Sequence, residues 1–539
     1  MREISFRSSP DTVGKAPNPY DLVPYESYPF PRSHIRHLRT IGRLFALTPA
    51  RLDGCRVLEL GGASGGNLIP MAIDHPGSSF LGIDLSSRQI EMGRQQIADL
   101  GLKNIELRTV SIMDVDSSFG EFDYIIAHGV LSWVPPAVQE KTLAICRERL
   151  APQGIAVVSY NTLPGWSAWH SLRQMILHHC RHIGDPLQSA RQARRLLDSL
   201  RRAGREETTP YWQMLRDEID KMLELSDWFL LHDHLEEDNT AFYLHQFVER
   251  VQAAGLQYLG EADLTAMNLG ALPAGTCGTP APADTPADDR AGDLIRRLQF
   301  LDLHQNRRFR MSLLCQEAER PDHDLSADRL WDFHWSTGLR PQTRIEDLSA
   351  AARPLAFLDP MGNVRLTTTD PLSAAVFDTL CRQSLARHPD ELVAETTRRF
   401  AIDDEPGLRA ALAGPALDLV MSNAIHLHGG PETWVATLSE RPMASRLARY
   451  QARHSSWLTN QRHEPVGVDP AAREVIRLVD GRRSRTALIE SVKALAERGK
   501  LNLQQEGRPV ADRAAMTRLI PALVDNVLGF MARNALLVG

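Results

Sequence analysis

Residues 56–68 read RVLELGGASGGNL, an apolar run that enters a glycine-rich turn and then a helical pattern. Glycine permits a sharp turn and a close approach of ligand to backbone, because no Cβ blocks positive φ or contact. The start of the following helix adds free N–H groups and the positive end of a dipole. The stretch therefore predicts a strand, a turn and a helix, with the turn available to a ligand. A tight turn without a ligand is the alternative.

Short β-rich runs alternate with helical patterns from residue 56 to residue 160. This alternation is typical of a parallel sheet covered by helices on both faces. We expect strands at Arg56–Leu60, Ser79–Ile83, Ile105–Thr109, Tyr124–Ala127 and Ile155–Tyr160. In open sheets of this kind, ligands bind at the carboxyl ends of the strands, where the strand order reverses. The glycine-rich turn lies at that edge.

An acidic residue, Asp84, ends the second predicted strand, 23 positions after Gly61. A carboxylate at this tip can accept hydrogen bonds from both ribose hydroxyls of a nucleoside-containing cofactor. A dinucleotide and S-adenosylmethionine both carry such a ribose. The dinucleotide pattern Gly-x-Gly-x-x-Gly is not met, because Ala63 stands two positions after Gly61.

The pattern Glu59-x-Gly61-x-Ala63-x-Gly65 resembles the first motif of the class I methyltransferases, with Ala63 in place of the middle glycine. The resemblance implies S-adenosylmethionine as cofactor, with Gly61 and Gly65 beneath its amino acid end and Asp84 on its ribose. It also implies that Glu59 steadies the turn or reaches the methionine amine. At the place of the acid that commonly binds the adenine amine stand Ser111 and Ile112. The expected cofactor-binding residues are Glu59, Gly61, Ala63, Gly65, Asn67, Asp84, Ile112 and His128.

Aromatic and amide side chains follow the fourth and fifth predicted strands, in residues 128–135 and 159–166. Their common position at the carboxyl tips favours the acceptor side of a site, although each aromatic could equally be a packing residue. The segment NPYDLVPYESYPFP, residues 18–31, holds too many prolines for a helix and is expected to run extended. We interpret it as a lid, with a strap packed for stability as the alternative. The candidate catalytic residues are Tyr20, Tyr25, His128, Trp133, Tyr160, Asn161 and Trp166, with Tyr28 as a further neighbour of the acceptor.

Four stretches together, NPYDLVPYESYPFP, VLELGGASGGNLIPMA, GEFDYIIAHGVLSWVPP and SYNTLPGW, resemble bacterial methyltransferases with a C-terminal regulatory region. Among these are the rickettsial lysine methyltransferases of outer-membrane proteins. The resemblance is specific over residues 18–170 and looser beyond them. It implies N-methylation of lysine in a protein substrate, an outer-membrane or surface protein before export, by a homodimer. Methylation of a small molecule or a carboxylate, and a cofactor-binding adaptor without catalysis, are the alternatives.

The predicted fold class is α/β, a doubly wound Rossmann-like methyltransferase domain followed by largely helical dimerisation or regulatory and winged-helix-like domains. A cofactor domain with its lid is expected over residues 1–170. A helical dimerisation or regulatory domain follows over residues 171–315, in which 242–262 return to complete the sheet. A middle domain is expected over residues 316–455 and a C-terminal domain over 456–539. The Pro- and Ala-rich stretch at 271–289 reads as a linker.

Composition narrows the class of protein further. The 539 residues exceed what one core holds, roughly 250–300, so several domains are required. A net charge of -6 gives no whole-molecule attraction to nucleic acid or an anionic membrane, and neither partner is expected. Scattered cysteines, the lack of a signal-peptide pattern and the lack of a membrane-spanning run predict a cytoplasmic protein. No metal is expected, because the histidines that lie close together lack a third ligand at a fixed spacing. These are His178, His179 and His182, the pair His232 and His234, and the pair His426 and His428. Three arginines, Arg307, Arg308 and Arg310, are expected to be structural ion-pair partners.

Overall fold

The computed structural model describes residues 26–224, 230, 235–236, 238–273, 275, 287–346, 354–501, 504–505, 508–510 and 513–539. Tyr20, Tyr25 and the His232–His234 pair lie outside these ranges, as does most of the expected linker.

A parallel sheet occupies the first part of the chain. Its strands are β1 (Arg56–Leu60), β2 (Ser79–Asp84), β3 (Ile105–Thr109), β4 (Phe122–Ala127) and β5 (Leu150–Thr162). They lie in the order β3-β2-β1-β4-β5, and β1 pairs with both β2 and β4. The strand order therefore reverses beside β1, which places a crevice at its carboxyl end. The doubly wound α/β fold is confirmed.

Helices cover both faces of this sheet. They are α1 (Ile35–Leu44), α2 (Leu68–Asp74), α3 (Ser87–Asp99) and α4 (Pro136–Arg149). Ser86 caps α3 by accepting a hydrogen bond from the Gln89 amide, at the point where β2 ends. Val57, Ile125 and Val157 are fully buried in the core between sheet and helices. The apolar runs that predict strands are thus those that the helices cover.

Three helices leave the sheet after β5. They are α5 (Ser167–Cys180), α6 (Pro186–Ala203) and α7 (Pro210–Glu224). They form a separate small core around residues such as Leu172, Leu197 and Ile219. We call α5–α7 the helical insertion, because the chain then returns to the sheet.

The returning segment consists of β6 (Ala241–Phe242), α8 (Leu244–Ala253), β7 (Leu256–Glu261), α9 (Ala287–Gln305) and β8 (Phe309–Gln316). β8 is antiparallel to both β5 and β7, so the full order is β3-β2-β1-β4-β5-β8-β7, with β6 on β5. β7 therefore joins the sheet as expected but lies beyond β8. The apolar sequence of β8, FRMSLLCQ, supplies the strand between them.

A buried ion-pair group fixes this antiparallel edge. Arg310 on β8 is 1% exposed and pairs with Glu261 on β7 at 2.7 Å and with Asp302 on α9 at 2.8 Å. Burying one of these charges alone would be strongly destabilising, so the three hold one another in place. Arg307 also pairs with Asp302, and Arg308 pairs with Glu218 of the helical insertion. The three arginines are structural ion-pair partners, as predicted.

A middle region with its own core follows. It contains α10 (Ala327–Leu330), β9 (His334–Thr337), β10 (Arg340–Pro341), β11 (Leu355–Leu358), β12 (Val364–Thr368), α11 (Pro371–Cys381), α12 (Pro389–Phe400), α13 (Glu405–Met421) and β13 (Ile425–His428). β10, β11 and β12 form one small sheet, and β9 pairs with β13. Trp335, Phe377 and Leu412 are fully buried in this core.

The last region has a third large core. Its elements are α14 (Arg446–His454), β14 (Trp457–Thr459), β15 (Pro465–Gly467), α15 (Pro470–Ile476), α16 (Arg485–Glu497), β16 (Gln504–Gln505), β17 (Arg508–Pro509) and α17 (Arg513–Arg533). Its core includes Ala448 of α14, upstream of the expected start at 456. The domain boundaries proposed from the sequence stay predictions.

One helix in the described part of the chain, Ala514–Arg533 within α17, is long and apolar enough by composition to cross a membrane. Helices in the cores of water-soluble domains can meet the same criterion. Val524 and Met531 of α17 are fully buried in the third core, where the helix packs against α15 and α16.

Candidate functional site

The glycine-rich turn after β1 places its three motif positions in the left-handed region. The φ angles are 71° at Gly61, 47° at Ala63 and 77° at Gly65. A residue with a Cβ loses about 1–2 kcal/mol in this conformation. The Ala63 amide donates a hydrogen bond to Asp84 Oδ2 at 2.9 Å, which offsets that loss. Alanine therefore preserves the turn at the motif's middle position.

Backbone and side-chain atoms of neighbouring residues lie close to the turn. A Cβ on Gly66 would lie 1.9 Å from the Ser27 carbonyl oxygen, and a Cβ on Gly61 would lie 2.6 Å from Val130. The Gly66 amide also donates to Ser27 Oγ at 2.9 Å. Residues 26–33, which we call the strap, thus run directly over the turn. The described part of the predicted extended segment, residues 26–31, packs on the turn, in agreement with both the lid and the strap interpretations.

Asp84 joins the tips of β1 and β2. Its Oδ2 accepts from the Ala63 amide, and its Oδ1 accepts from the Ser86 amide at 2.8 Å. An ionised carboxylate only accepts hydrogen bonds, and the hydroxyl groups of a ribose are donors of matching chemistry. The position fits a ribose at the carboxyl end of the second strand.

Glu59 lies under the turn and is 5% exposed. Its Oε1 accepts from Asn67 Nδ2 at 2.7 Å, whereas its Oε2 has no hydrogen-bond partner among the described residues. Burial raises the pKa of Glu59 to about 7, the Asn67 hydrogen bond lowers it and the charge of Asp84 raises it further. A buried carboxyl group with one unpartnered oxygen suits a ligand that brings a cationic group.

Asn67 has a different role from the predicted cofactor contact. It is 3% exposed, and its amide group is fully engaged within the protein. Its Oδ1 accepts from the Phe30 amide at 3.1 Å and lies 2.8 Å from His463 Nε2, while its Nδ2 donates to Ser33 Oγ and Glu59. Asn67 therefore positions Glu59 and the strap. His463 lies 396 positions further along the chain, and no local pattern indicates it.

The acceptor side begins at the tip of β4. The His128 ring lies 4.0 Å from the Phe30 ring and 5.9 Å from the Phe309 ring. Its Nδ1 is buried without a hydrogen-bond partner in the described ranges. Burial lowers the pKa of His128 to about 4, so the ring is neutral near pH 7 and a weak proton acceptor.

The structure brings Asn161, Trp133 and Trp166 together at the tips of β4 and β5. The backbone N–H of Asn161 donates to Ser132 Oγ at 2.8 Å. The side-chain Nδ2 of Asn161 has no hydrogen-bond partner in the described part of the chain. The rings of Trp133 and Trp166 are 5.7 Å apart, and Trp169 follows at 5.4 Å from Trp166. These three indoles, which we call the tryptophan row, extend from the strand tips towards the helical insertion.

Two other predicted catalytic contacts are placed elsewhere. Tyr160 is 1% exposed, stacks on Phe247 at 4.0 Å and contacts Ser312 Oγ at 3.0 Å, so its ring packs within the core. Its assignment to the acceptor side stays a prediction. Side chains alternate along a strand, and Asn161 has the face towards the site. Tyr28 donates to Glu26 Oε2 at 2.5 Å and packs against Trp457 at 4.8 Å. Ile112 is half-buried in the short helix Ile112–Asp114 after β3.

The described histidines among the candidate metal ligands lie in no metal-binding cluster. Among the described residues, no group of three or more His, Cys, Asp or Glu side chains could hold a metal ion. His428 on β13 instead lies 2.8 Å from Ser336 Oγ.

Comparisons with known proteins agree with this arrangement. Family models match a methyltransferase domain over residues 58–156, a predicted methyltransferase regulatory domain over 226–316 and the PKMT C-terminal winged helix domain over 440–536. An uncharacterized protein of Rickettsia prowazekii is 34% identical over 529 residues, 97% of this chain and 94% of that protein. The structure of PKMT2 from Rickettsia typhi in complex with AdoHcy matches with a TM-score of 0.85 and 31% identity, over 96% of this chain and 100% of that one. The chain belongs to the PKMT methyltransferase family.

Another relative matches a smaller share of the chain. The ubiquinone biosynthesis O-methyltransferase of Thiobacillus denitrificans is 30% identical over 128 residues, 23% of this chain and 53% of that protein. The enzyme uses S-adenosylmethionine, and the site fits it: the left-handed turn, the Asp84 carboxylate and the unpartnered Glu59 oxygen would hold its amino acid end and ribose.

Asp84→Ala is expected to weaken AdoHcy binding about 100-fold or more. The substitution removes two charge-assisted hydrogen bonds from the ribose hydroxyls to the carboxylate, of about 1.5–3 kcal/mol each. Isothermal calorimetry measures this, with circular dichroism to show that the fold persists. Asp116→Ala is the matched control, since Asp116 is exposed and caps a turn before β4. Unchanged affinity in Asp84→Ala would contradict the site.

AdoHcy affinity is expected to rise about tenfold between about pH 6 and about pH 8, because the ligand's ammonium favours ionised Glu59. The Glu59 pKa of about 7 lies above its ordinary 4.5, so the carboxyl group is protonated in the free protein below about pH 7. Its contribution to folding stability is accordingly present at low pH and is lost as the pH rises through about 7. Glu59→Gln should flatten the calorimetric pH profile. A flat profile in the unsubstituted enzyme would count against the role of Glu59.

Proposed function

We propose that the enzyme transfers the methyl group of S-adenosylmethionine to the side-chain amine of lysine in a protein substrate. The observation that carries the proposal is the likeness to PKMT2 over 96% of this chain and 100% of that one, well beyond the cofactor domain. The match to an O-methyltransferase covers only 23% of this chain and favours no acceptor. The tryptophan row at the strand tips suits a long side chain that ends in a cation.

The chemistry requires an amine lone pair in line with the transferred carbon. S-adenosylmethionine, when bound, supplies an electrophilic methyl group on a sulfonium. The lysine ammonium, with a free pKa of about 10.4, must first lose a proton. Aromatic faces such as those of Trp133 and Trp166 attract the cation, and their exclusion of water lowers the pKa of the amine. His128 is neutral and packed on Phe30, so it shapes this wall more than it accepts the proton.

The proposal predicts heavy methyl groups on lysine. The purified enzyme is incubated with heavy-methyl S-adenosylmethionine and proteins extracted from bacterial cells, and the peptides are analysed by mass spectrometry. Asp84→Ala is the negative control and Asp116→Ala the positive one. Labelled mono-, di- or trimethyllysine supports the proposal. Label confined to small molecules or carboxylates supports the other enzyme class, and AdoHcy binding without any label supports a non-catalytic adaptor.

We also propose a homodimer formed through the helical insertion. Leu187 on α6, and Tyr211 and Met214 on α7, are 50%, 47% and 43% exposed, which leaves apolar surface on these helices. Sedimentation velocity should give the mass of two chains, and Leu187→Glu combined with Tyr211→Glu should give that of one. Met361→Glu, at an 86% exposed position in the middle region, is the matched control. A single-chain mass for the unsubstituted enzyme would contradict the proposal.

The cytoplasmic location and the choice of an outer-membrane or surface protein as substrate stay predictions from the sequence.

A further inference from the structure

The strap is held from two sides. On one side it contacts the glycine-rich turn through the Ser27 hydroxyl and the Phe30 amide. On the other side it meets the C-terminal winged-helix domain, where Trp457 Nε1 donates to Glu26 Oε1 at 2.8 Å. The Tyr28 ring packs on the Trp457 ring at 4.8 Å. The strap therefore lies between the cofactor turn and the last domain of the chain.

A second contact reaches the turn more directly. His463 lies in the hairpin between β14 and β15, is 2% exposed and has its Nε2 2.8 Å from Asn67 Oδ1. The Asn67 orientation is fixed by its Nδ2, which donates to Glu59, so the histidine must donate through Nε2. Burial lowers the pKa of His463 to about 3, which keeps the ring neutral and in this donating form.

The hairpin presents His463 in a strained and well-supported conformation. Its φ is 62°, in the left-handed region that residues with a Cβ rarely adopt. Asn460 holds the turn, since its side-chain oxygen accepts from the amides of Arg462 and Glu464 at 2.9 Å each. The His34 ring meets the His463 ring edge-on at 4.7 Å. Strain of this kind persists where the surroundings over-determine a residue, and it is concentrated at functional positions.

The winged-helix domain is also seated firmly on the cofactor domain outside the hairpin. Tyr450 on α14 donates to Asp99 of α3 at 2.9 Å, and Leu447 is 4% exposed within the core of the sheet domain. These contacts fix the domain independently of His463 and Trp457. The two side chains can therefore act on the site from a stable base.

We propose that the C-terminal winged-helix domain is a working part of the cofactor site, with His463 and Trp457 as positioning residues. His463 holds Asn67, which in turn holds Glu59 beneath the turn. Trp457 holds Glu26 and thereby the strap above the turn. Cofactor binding and the seating of this hairpin are then coupled, and the coupling is reciprocal.

His463→Leu tests the first contact. It is expected to weaken AdoHcy binding about tenfold, because the buried Asn67 oxygen loses a donor and the group beneath the turn loses its fixed orientation. The Michaelis constant for S-adenosylmethionine should rise while kcat changes little. His463→Gln, whose amide nitrogen can replace Nε2, should restore affinity to within about threefold. His454→Leu, at an exposed position on α14, is the matched control.

A merely structural role gives a different result. His463→Leu would then lower the melting temperature and leave the AdoHcy affinity of the folded protein unchanged, which would overturn the proposal. Should His463→Leu not fold, Trp457→Phe decides, because it keeps the ring against Tyr28 and removes only the N–H donor. A loss of affinity of about threefold or more supports the proposal, and unchanged affinity overturns it.

Discussion

The carboxylate of Asp84 is the contact on which the cofactor end of the enzyme depends. Parallel pairing of β1 with β2 brings their carboxyl tips together, and Asp84 then accepts from the amides of Ala63 and Ser86. The first bond supports a left-handed alanine, and the second orders the start of α3. Without this charge the turn loses the hydrogen bond that stabilises its left-handed conformation. Asp84 lies at the carboxyl end of β2, beside the crevice produced by the reversal of strand order.

The local parts of the fold are those that the sequence predicts well. β1 and β3 begin and end at the expected residues, because apolar runs bounded by turn residues encode short buried strands. The position of β8 between β5 and β7 is not readable in this way, since antiparallel pairing of residues 156–161 with residues 309–314 is a long-range choice. The Arg310 ion pairs that hold that edge join residues from three separate elements. The sequence predicts that Arg310 forms structural ion pairs, but it does not identify Glu261 and Asp302 as the acids that pair with it.

The candidate site divides along the same line. Gly61, Ala63, Gly65 and Asp84 are predictable because backbone conformation at a strand tip restricts residue type locally. The packing of the Tyr160 ring in the core is not predictable in this way, because side chains alternate along a strand and the sequence does not say which face is packed. The contacts of Asn67 are not predictable either, because its partners include His463, which only the folded chain brings near. A side chain's direction and its distant partners are set by packing, and spacing along the chain does not contain them.

Three unpartnered buried polar atoms lie along one edge of the sheet, at the candidate site. A buried donor or acceptor without a partner costs about 1–3 kcal/mol, and such atoms persist chiefly where a ligand or function requires them. Glu59 Oε2, His128 Nδ1 and Asn161 Nδ2 are of this kind in the described structure, and they lie at the carboxyl ends of β1, β4 and β5. Other such atoms, among them Glu261 Oε2, lie outside the site. The winged-helix domain contributes to this arrangement. His463 lies within hydrogen-bonding distance of Asn67, and Asn67 binds one Glu59 oxygen and leaves the other unpartnered. A distant domain thus satisfies the supporting amide and keeps the unsatisfied group directed at the cofactor.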